Sequence, residues 1–329
     1  MLNSPNKRAN SDHPPFYSLP IGYCFNEFEI EKIIGSGGFG IVYRAWDHRL
    51  KRTIAIKEYM PSSLVTRNQN WELTLSRESF KKRFQIGLNS FLREAHLMTC
   101  FDHPCLPHFL RLWQKNHTVY IATEFYNGIT LKALQTTQPE MISQRWLCNI
   151  LPPLLDAINT LHKAGYLHCD ISLGNILIQE DGVPVLLDLG STRKITERLA
   201  DEIEVTIRPG FTPVEQYSAN EKGQQGAWTD IYALGATLYT LIVGTPPPVS
   251  IVRNIEDNYQ PLSQLRPAGY SSVFLSAIDY MLAIQPSRRL ITIAELETLT
   301  KSLMITSSLA SAVSGSLSNI LTTCIPPMD

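Results

Sequence analysis

The chain has 329 residues, of which 44% are hydrophobic and 18% charged, with a formal net charge of -1. That length allows two lobes around a real buried core, and the charge balance excludes the basic excess of a nucleic-acid binder and the acidic block of a chain that seeks cationic partners. The six cysteines (Cys24, Cys100, Cys105, Cys148, Cys169, Cys324) are scattered without a C-x-x-C pair, which argues against a zinc site or a disulfide framework and fits a reducing compartment.

In chain order, residues 1–24 are rich in Pro, Ser and Asn and read as a flexible leader, with order expected from Phe25. The leader lacks the apolar core of a secretory signal, and no run of about eighteen apolar residues marks a membrane span. A cytoplasmic location is expected, one that delivery into another cell would not contradict. Short β-like runs follow at Phe28–Ile34, Ile41–Trp46 and Thr53–Glu58, bounded by glycines or charged turns, and predict an antiparallel sheet. From Ser76 to Met98 the spacing changes: Phe80, Phe84, Leu88, Phe91, Leu92 and Ala95 recur at helical intervals, which predicts one long amphipathic helix or a broken pair. Two further strand-like runs lie at Phe109–Gln114 and Thr118–Phe125.

Beyond Gly128 the pattern is helical. Trp146, Leu147, Ile150, Leu154, Leu155, Ile158 and Leu161 form a stripe between Ser143 and Ala164, and apolar helices are expected over Thr229–Val243 and Ser271–Ile284. Sheet first and helices second give an α+β, two-lobed arrangement rather than alternating βαβ units. The segments are a sheet lobe with one helix over 25–126, a larger helical lobe over 127–304, and a Ser/Thr-rich tail over 305–329. Ser302–Met328 carries no charged residue, and Leu309, Val313, Leu317 and Leu321 sit four apart. Those positions read either as a loosely packed end or as a helix that docks on the fold or on a partner.

Gly35-Ser36-Gly37-Gly38-Phe39-Gly40 is a G-x-G-x-x-G run, a pattern that Rossmann folds share. Ile41, Val42 and Tyr43 then follow, which start a helix poorly and form strands well. A glycine loop between two strands lets backbone lie over nucleotide phosphates; the plain alternative is a hairpin turn. Ala55-Ile56-Lys57 follows on the next strand, where the lysine can reach α and β phosphates if an acid holds it in place. Glu94 on the predicted long helix is the candidate acid, unless it is a solvated carboxylate with Arg93 as a surface neighbour.

Taken with His168-Cys169-Asp170, Asn175-Ile176-Leu177, Asp188-Leu189-Gly190 and Pro213-Val214-Glu215 in this order, the chain resembles the eukaryotic-like protein kinases over about residues 27–304. The resemblance implies a two-lobed kinase fold, a small antiparallel-sheet N-lobe with one helix and a larger, mainly helical C-lobe. It also implies ATP and Mg²⁺ as cofactors, a protein substrate, and transfer of the γ-phosphate to Ser or Thr. Asp170 then acts as catalytic base, Asn175 and Asp188 hold Mg²⁺, and Lys57 with Glu94 grips the phosphates. The residues around the nucleotide are Gly35, Ser36, Gly37, Gly38, Phe39, Gly40, Val42, Ala55, Glu124, Tyr126 and Leu177. Thr123 takes the gatekeeper position, with Glu124–Tyr126 as the hinge to the adenine. His168 has a packing role. Asp230 anchors the catalytic loop, and Arg289 or its neighbour Arg288 pairs with Glu215. A lone Asp-x-Gly is usually a turn; its place after Asn175 gives it the metal role.

The pattern is broken at two positions. Cys169 replaces the arginine that binds a phosphorylated activation loop, so Ser191, Thr192, Thr196 and Thr206 lack the family's usual phosphate partner. Ser172 replaces a lysine that contacts the γ-phosphate. Arg208 is a candidate replacement cation, with a surface or substrate-binding arginine as the alternative. Ala55–Ser63 and Pro209–Tyr217 resemble a bacterial branch of the family, in which a small residue at the Ser172 position and a basic one at the Arg208 position are familiar. The stretch 58–90 is longer than a minimal connection, and Trp71, Phe80 and Phe84 are expected to pack it on the sheet, either to hold the Glu94 helix or to bind a regulatory partner. The rival readings of function are a pseudokinase that works through contacts and a small-molecule kinase; the Pro-x-Glu segment, typical of enzymes that take protein substrates, disfavours the second.

Overall fold

The computed structural model describes residues 17–195, 206–217, 225–289 and 292–303. The chain divides into two compact units, one formed by 1–99 with 108–125, the other by 100–107 with 126–329. Among the described residues no helix is long and apolar enough to cross a membrane.

The first unit is built on a six-stranded antiparallel sheet. Its strands are β1 (Cys24–Phe25), β2 (Phe28–Ser36), β3 (Gly40–Asp47), β4 (Arg52–Tyr59), β7 (Phe109–Lys115) and β8 (Thr118–Glu124), in the order β1-β2-β3-β4-β8-β7. Alternation explains the layout. Ile41, Tyr43 and Ala45 on β3 and Ile54, Ile56 and Glu58 on β4 share one buried face, while Val42, Ala55 and Lys57 lie on the other, since successive side chains of a strand point to opposite faces.

A small hairpin that the sequence pattern does not announce, β5 (Val65–Arg67) with β6 (Leu73–Leu75), packs into the core of this unit. Phe80 and Phe84 pack there as expected, but Trp71 does not: it stands 38% exposed at a left-handed turn position. Its neighbour Leu73 takes the buried place instead. Order also begins before Phe25. Leu19 is buried in the same core, its amide donates to the Tyr43 hydroxyl at 3.1 Å, and the Tyr17 carbonyl accepts from Arg67 Nε at 2.7 Å. A 3₁₀ turn (Glu78–Phe80) leads into α1 (Lys81–Cys100), so the predicted long helix is one helix with a short 3₁₀ entry.

The second unit is mainly helical: α2 (Leu131–Thr137), α3 (Gln144–Lys163), α4 (Ala227–Val243), α5 (Ser250–Arg253), α6 (Leu262–Leu265) and α7 (Ser272–Met281). Ser143 caps α3 through the Trp146 amide and Ser271 caps α7 through the Phe274 amide, each hydroxyl satisfying a donor the first turn leaves orphaned. In α4 every residue from Thr229 to Leu241 is buried, Asp230 among them. Short strands hold the loops between helices: β9 (Gly128–Thr130), β11 (Ile176–Gln179) and β12 (Pro184–Leu186) form one sheet, and β10 (Tyr166–Leu167) pairs with β13 (Arg193–Lys194). Residues 100–107, expected with the sheet lobe, belong to this unit, where the Cys105 carbonyl accepts from the Leu186 amide at 2.8 Å. The apolar face expected at Leu309–Leu321 lies outside the described residues.

Candidate active site

In the first unit the glycine run is the turn between β2 and β3. Gly35 lies opposite Val42 and Ser36 opposite Ile41, and the Gly37 amide donates to the Gly40 carbonyl at 2.9 Å. Gly40 has a steric reason: a Cβ there would sit 2.3 Å from the Glu58 carbonyl oxygen, so only glycine lets the loop close on β4. Gly37 and Gly38 have open space where a Cβ would be, and Phe39 is exposed at the tip. The loop is therefore a strand–turn–strand with bare backbone at its crown, suited to lie against a phosphate group.

Lys57 faces the side of β4 that α1 covers. Its Nζ donates to both oxygens of Glu94, at 2.7 and 2.9 Å, and lies 5.8 Å from the centre of the Phe91 ring. Glu94 is buried, so a charge without its partner there would be costly. Thr123 is directly opposite Ala55 in the β4–β8 register, and Glu124 opposite Ile54. The Tyr126 hydroxyl, in the second unit, donates to the Leu106 carbonyl at 3.3 Å. Leu177 is half-buried on β11, opposite Thr130 and Val185.

In the second unit the loop around Asp170 is held from below by Asp230 of α4. Its Oδ2 accepts from the His168 amide and its Oδ1 from the Cys169 amide, both at 2.8 Å, and His162 Nε2 lies 2.8 Å from Oδ2. Burial alone would raise the Asp230 pKa; the His162 hydrogen bond, the charges of His162 and His168 and the Cys169 amide together hold it below the usual carboxylate value. Cys169 takes a left-handed conformation, and its carbonyl accepts from Gln216 Nε2 at 3.1 Å. His168 packs with no exposed surface, and its Nδ1 accepts from the Asp170 amide at 3.3 Å.

Asp170 is the convergence point. Asn175 Nδ2 donates to its backbone carbonyl and to its Oδ2, each at 2.8 Å. Arg208 grips the same carboxylate with two donors: Nε bonds Oδ1, and Nη2 bonds Oδ2 at 2.8 Å. The hydrogen bond to Asp170 raises the Arg208 pKa against the cost of burial, and the charges of Asp170 and Asp188 add to it. Asp188, at a left-handed backbone position, accepts from the Gly190 amide at 3.1 Å, and the Leu187 amide donates to the Asn175 carbonyl at 2.7 Å, which ties the two segments together. Ser172 is buried, and among the described residues its hydroxyl has no hydrogen-bond partner.

Arg208, expected as a cation for the γ-phosphate, is thus paired with Asp170, the residue expected as the base. Three supporting residues escaped the sequence reading. Thr212 Oγ1 accepts from the Arg208 amide at 2.8 Å, the Thr212 carbonyl accepts from Ser250 Oγ at 2.7 Å, and Gln216 holds Cys169. Glu215 pairs with Arg289, not Arg288, through two bonds of 2.5 and 3.0 Å, both side chains fully buried. Thr229 Oγ1 and the carbonyls of Ala283, Ile284 and Trp228 satisfy the rest of that pair. Of the hydroxyls considered for phosphorylation, Thr192 is buried, Ser191 donates to Thr206 at 3.0 Å, and Thr196 lies outside the described residues.

Comparison with known proteins agrees with this geometry. Residues 28–298 match the protein kinase domain family. A solved structure described as "PpkA-294 apo form" is 58% identical, with a TM-score of 0.79, covering 88% of this chain and 99% of that one. The serine/threonine-protein kinase PknB of Mycobacterium leprae is 29% identical over 82% of this chain and 42% of its own length. The probable serine/threonine-protein kinase PknB of Bifidobacterium longum is 27% identical over 70% of this chain and 32% of its own. The chain thus spans about a third to two-fifths of the length of these two curated relatives. The chain belongs to the protein kinase family.

Proposed function

We propose that the chain transfers the γ-phosphoryl group of Mg-ATP to Ser or Thr hydroxyls of a protein substrate. The observation that carries this reading is the set of interlocked polar groups around Asp170, complete in the kind of charge that phosphoryl transfer needs. Asp170 accepts or orients the proton of the attacking hydroxyl. Lys57, held by Glu94, takes the α and β phosphates, and the glycine loop lies over them. In the first unit Val42 and Ala55 supply apolar surface for the adenine and the backbone of Glu124 and Phe125 its hydrogen bonds; in the second unit Leu177 offers apolar surface and Tyr126 its backbone.

The donor set fits a hard cation. Mg²⁺ prefers oxygen ligands and needs only one or two protein groups beside phosphate and water. Asn175 spends its amide N–H on Asp170, which leaves its side-chain carbonyl oxygen as the ligand atom, and Asp188 brings a carboxylate. When bound, the cation neutralises charge on the phosphate oxygens; the protein's own residues position the nucleophile and hold the loop.

Arg208 takes two parts in this reading. In the state described it balances the charge of Asp170; with a γ-phosphate present, its guanidinium moves to the more highly charged group and bares the carboxylate to the substrate hydroxyl. This is how the chain manages with Ser172 where a lysine is usual. Leu64, Val65 and Leu73 of the 58–90 segment are buried in the core of the first unit, which supports a holding role, while the exposed Trp71 leaves a surface that a regulatory partner could use. Labelled γ-phosphate should appear on the protein itself or on a generic protein substrate and vanish in Asp170→Asn. A nucleotide-dependent melting shift without any transfer would instead support a scaffold.

A further inference from the structure

α1 contains a glycine in its interior, Gly87, at a cost of roughly 1 kcal/mol relative to alanine in a helix. The structure gives a steric reason for it. A Cβ at Gly87 would lie 2.2 Å from the Tyr59 hydroxyl oxygen and 3.0 Å from its Cζ, so with any other residue here the phenol or the helix must shift. The hydroxyl uses the space to donate to the Phe84 carbonyl at 3.0 Å. Its ring packs against Phe84, with centroids 5.2 Å apart, and against Phe91 at 5.6 Å.

Phe84, Gly87, Phe91 and Glu94 follow one another at intervals of three or four residues, so they share one face of α1. Lys57 and Tyr59 are two apart on β4 and share one face of the strand. Strand and helix are therefore joined at two points on matching faces, Lys57 on Glu94 and Tyr59 in the Gly87 slot. Two points fix both the slide and the rotation of the helix, where the ion pair alone would fix one. The N-terminal part of α1 needs the second point: its buried residues start only at Phe91. Tyr59 is itself anchored, since its carbonyl accepts from Thr118 Oγ1 at 2.5 Å and the next amide, Met60, donates to the Phe39 carbonyl at 3.1 Å.

We infer that Tyr59 and Gly87 are positioning residues that hold Glu94 on Lys57 without phosphorylation or a bound regulator. The inference rests on the phosphotransfer reading for its consequence, though not for its geometry. It accounts for a helix held in register although Cys169 stands where a phosphate-binding arginine is usual.

The test combines hydrogen exchange on the nucleotide-free full chain with steady-state kinetics for wild type, Tyr59→Phe, Gly87→Ala, Glu94→Gln and the double variant Gly87→Ala/Glu94→Gln. Tyr59→Phe removes one hydrogen bond and keeps the ring, so it guards against a failure of Gly87→Ala to fold. Its kcat should fall about fivefold, the scale of one neutral hydrogen bond. Gly87→Ala should lower kcat by about tenfold or more, with KM for ATP changed less than about twofold, and α1 amides should lose roughly tenfold in protection. If Gly87 acts through Glu94, adding Gly87→Ala to Glu94→Gln has no further effect on kcat. Multiplying effects, or a Gly87→Ala variant with full kcat and full α1 protection, would overturn the inference. Absence of transfer by the wild type would defeat the phosphotransfer reading instead, and the exchange data would then decide the positioning alone.

Discussion

Two ion pairs, one in each unit, use two hydrogen bonds apiece and differ in how they are held. Lys57 and Glu94 are 25% and 3% exposed and are backed by ring packing between β4 and α1. Arg208 and Asp170 are 40% and 5% exposed, and the arginine is fixed mainly through its own backbone, by Thr212. The first pair is set by the architecture, so it is available before any ligand arrives. The second is a charge-assisted pair whose arginine is the more exposed partner. In the proposed function the first pair is a fixed grip on phosphate and the second an adjustable cation.

Breaking the pairs separately should show that difference. The largest effect is expected at Asp170, where Asp170→Asn should lower kcat by about 10³-fold or more, on the scale of general acid–base catalysis, with nucleotide binding retained in a fluorescence titration. Next comes the buried network on the opposite face of β4. Glu58 accepts from Tyr43, Tyr120 and Arg67, each at 2.7 Å, with no exposed surface. Arg67→Ala strands that charge and should cost about 3–5 kcal/mol of stability in urea unfolding. Burial and the Glu58 charge raise the pKa values of both tyrosines, so their phenols stay protonated donors at neutral pH. Arg208→Ala should depress kcat by about 10–100-fold while KM for ATP stays within about twofold, because the lost cation acts where charge moves during transfer. An unchanged kcat would show that Arg208 is a surface residue and that the second pair has no part in the chemistry.

The smallest effect concerns pH. The Asp230 pKa is lower in the folded chain than the roughly 3.9 of a free aspartate, so its contribution is complete above that value and is lost as pH falls through the folded value. Thermal melting followed from pH 7 down to pH 3 should show Asp230→Asn as the flatter curve, with its deficit shrinking only at the acid end. A constant deficit across the range would mean that the amide anchors the loop as well as the carboxylate does.

The sequence makes long, strongly patterned elements legible because one period runs through each of them. The sheet strands and the helices over 144–163 and 227–243 belong to this class. Elements of three residues, such as β5 and β6, carry no period to read, and Trp71 misleads because size alone does not decide which side of a turn is buried. Lys57 and Glu94 could be paired in advance, since a strand lysine and a helix acid fit one chemistry. The Gly87 slot could not: its meaning lies in a tyrosine 28 residues earlier, and a lone helix glycine carries no local signal. The sequence leaves Arg208 open between a cation for the γ-phosphate and a surface arginine; its grip on Asp170 across 38 residues depends on loops that Asp230, Gln216 and Thr212 hold in place. Those supports are single polar residues in irregular segments, where spacing says nothing about partners.

The most direct measurement is mass-spectrometric mapping of phosphosites on the full chain and on a generic protein substrate after incubation with Mg-ATP, wild type beside Asp170→Asn. Phosphate on Ser or Thr in the wild type, and none in the variant, is the expected result. Equal modification of both proteins, or none in either, would contradict phosphoryl transfer through Asp170.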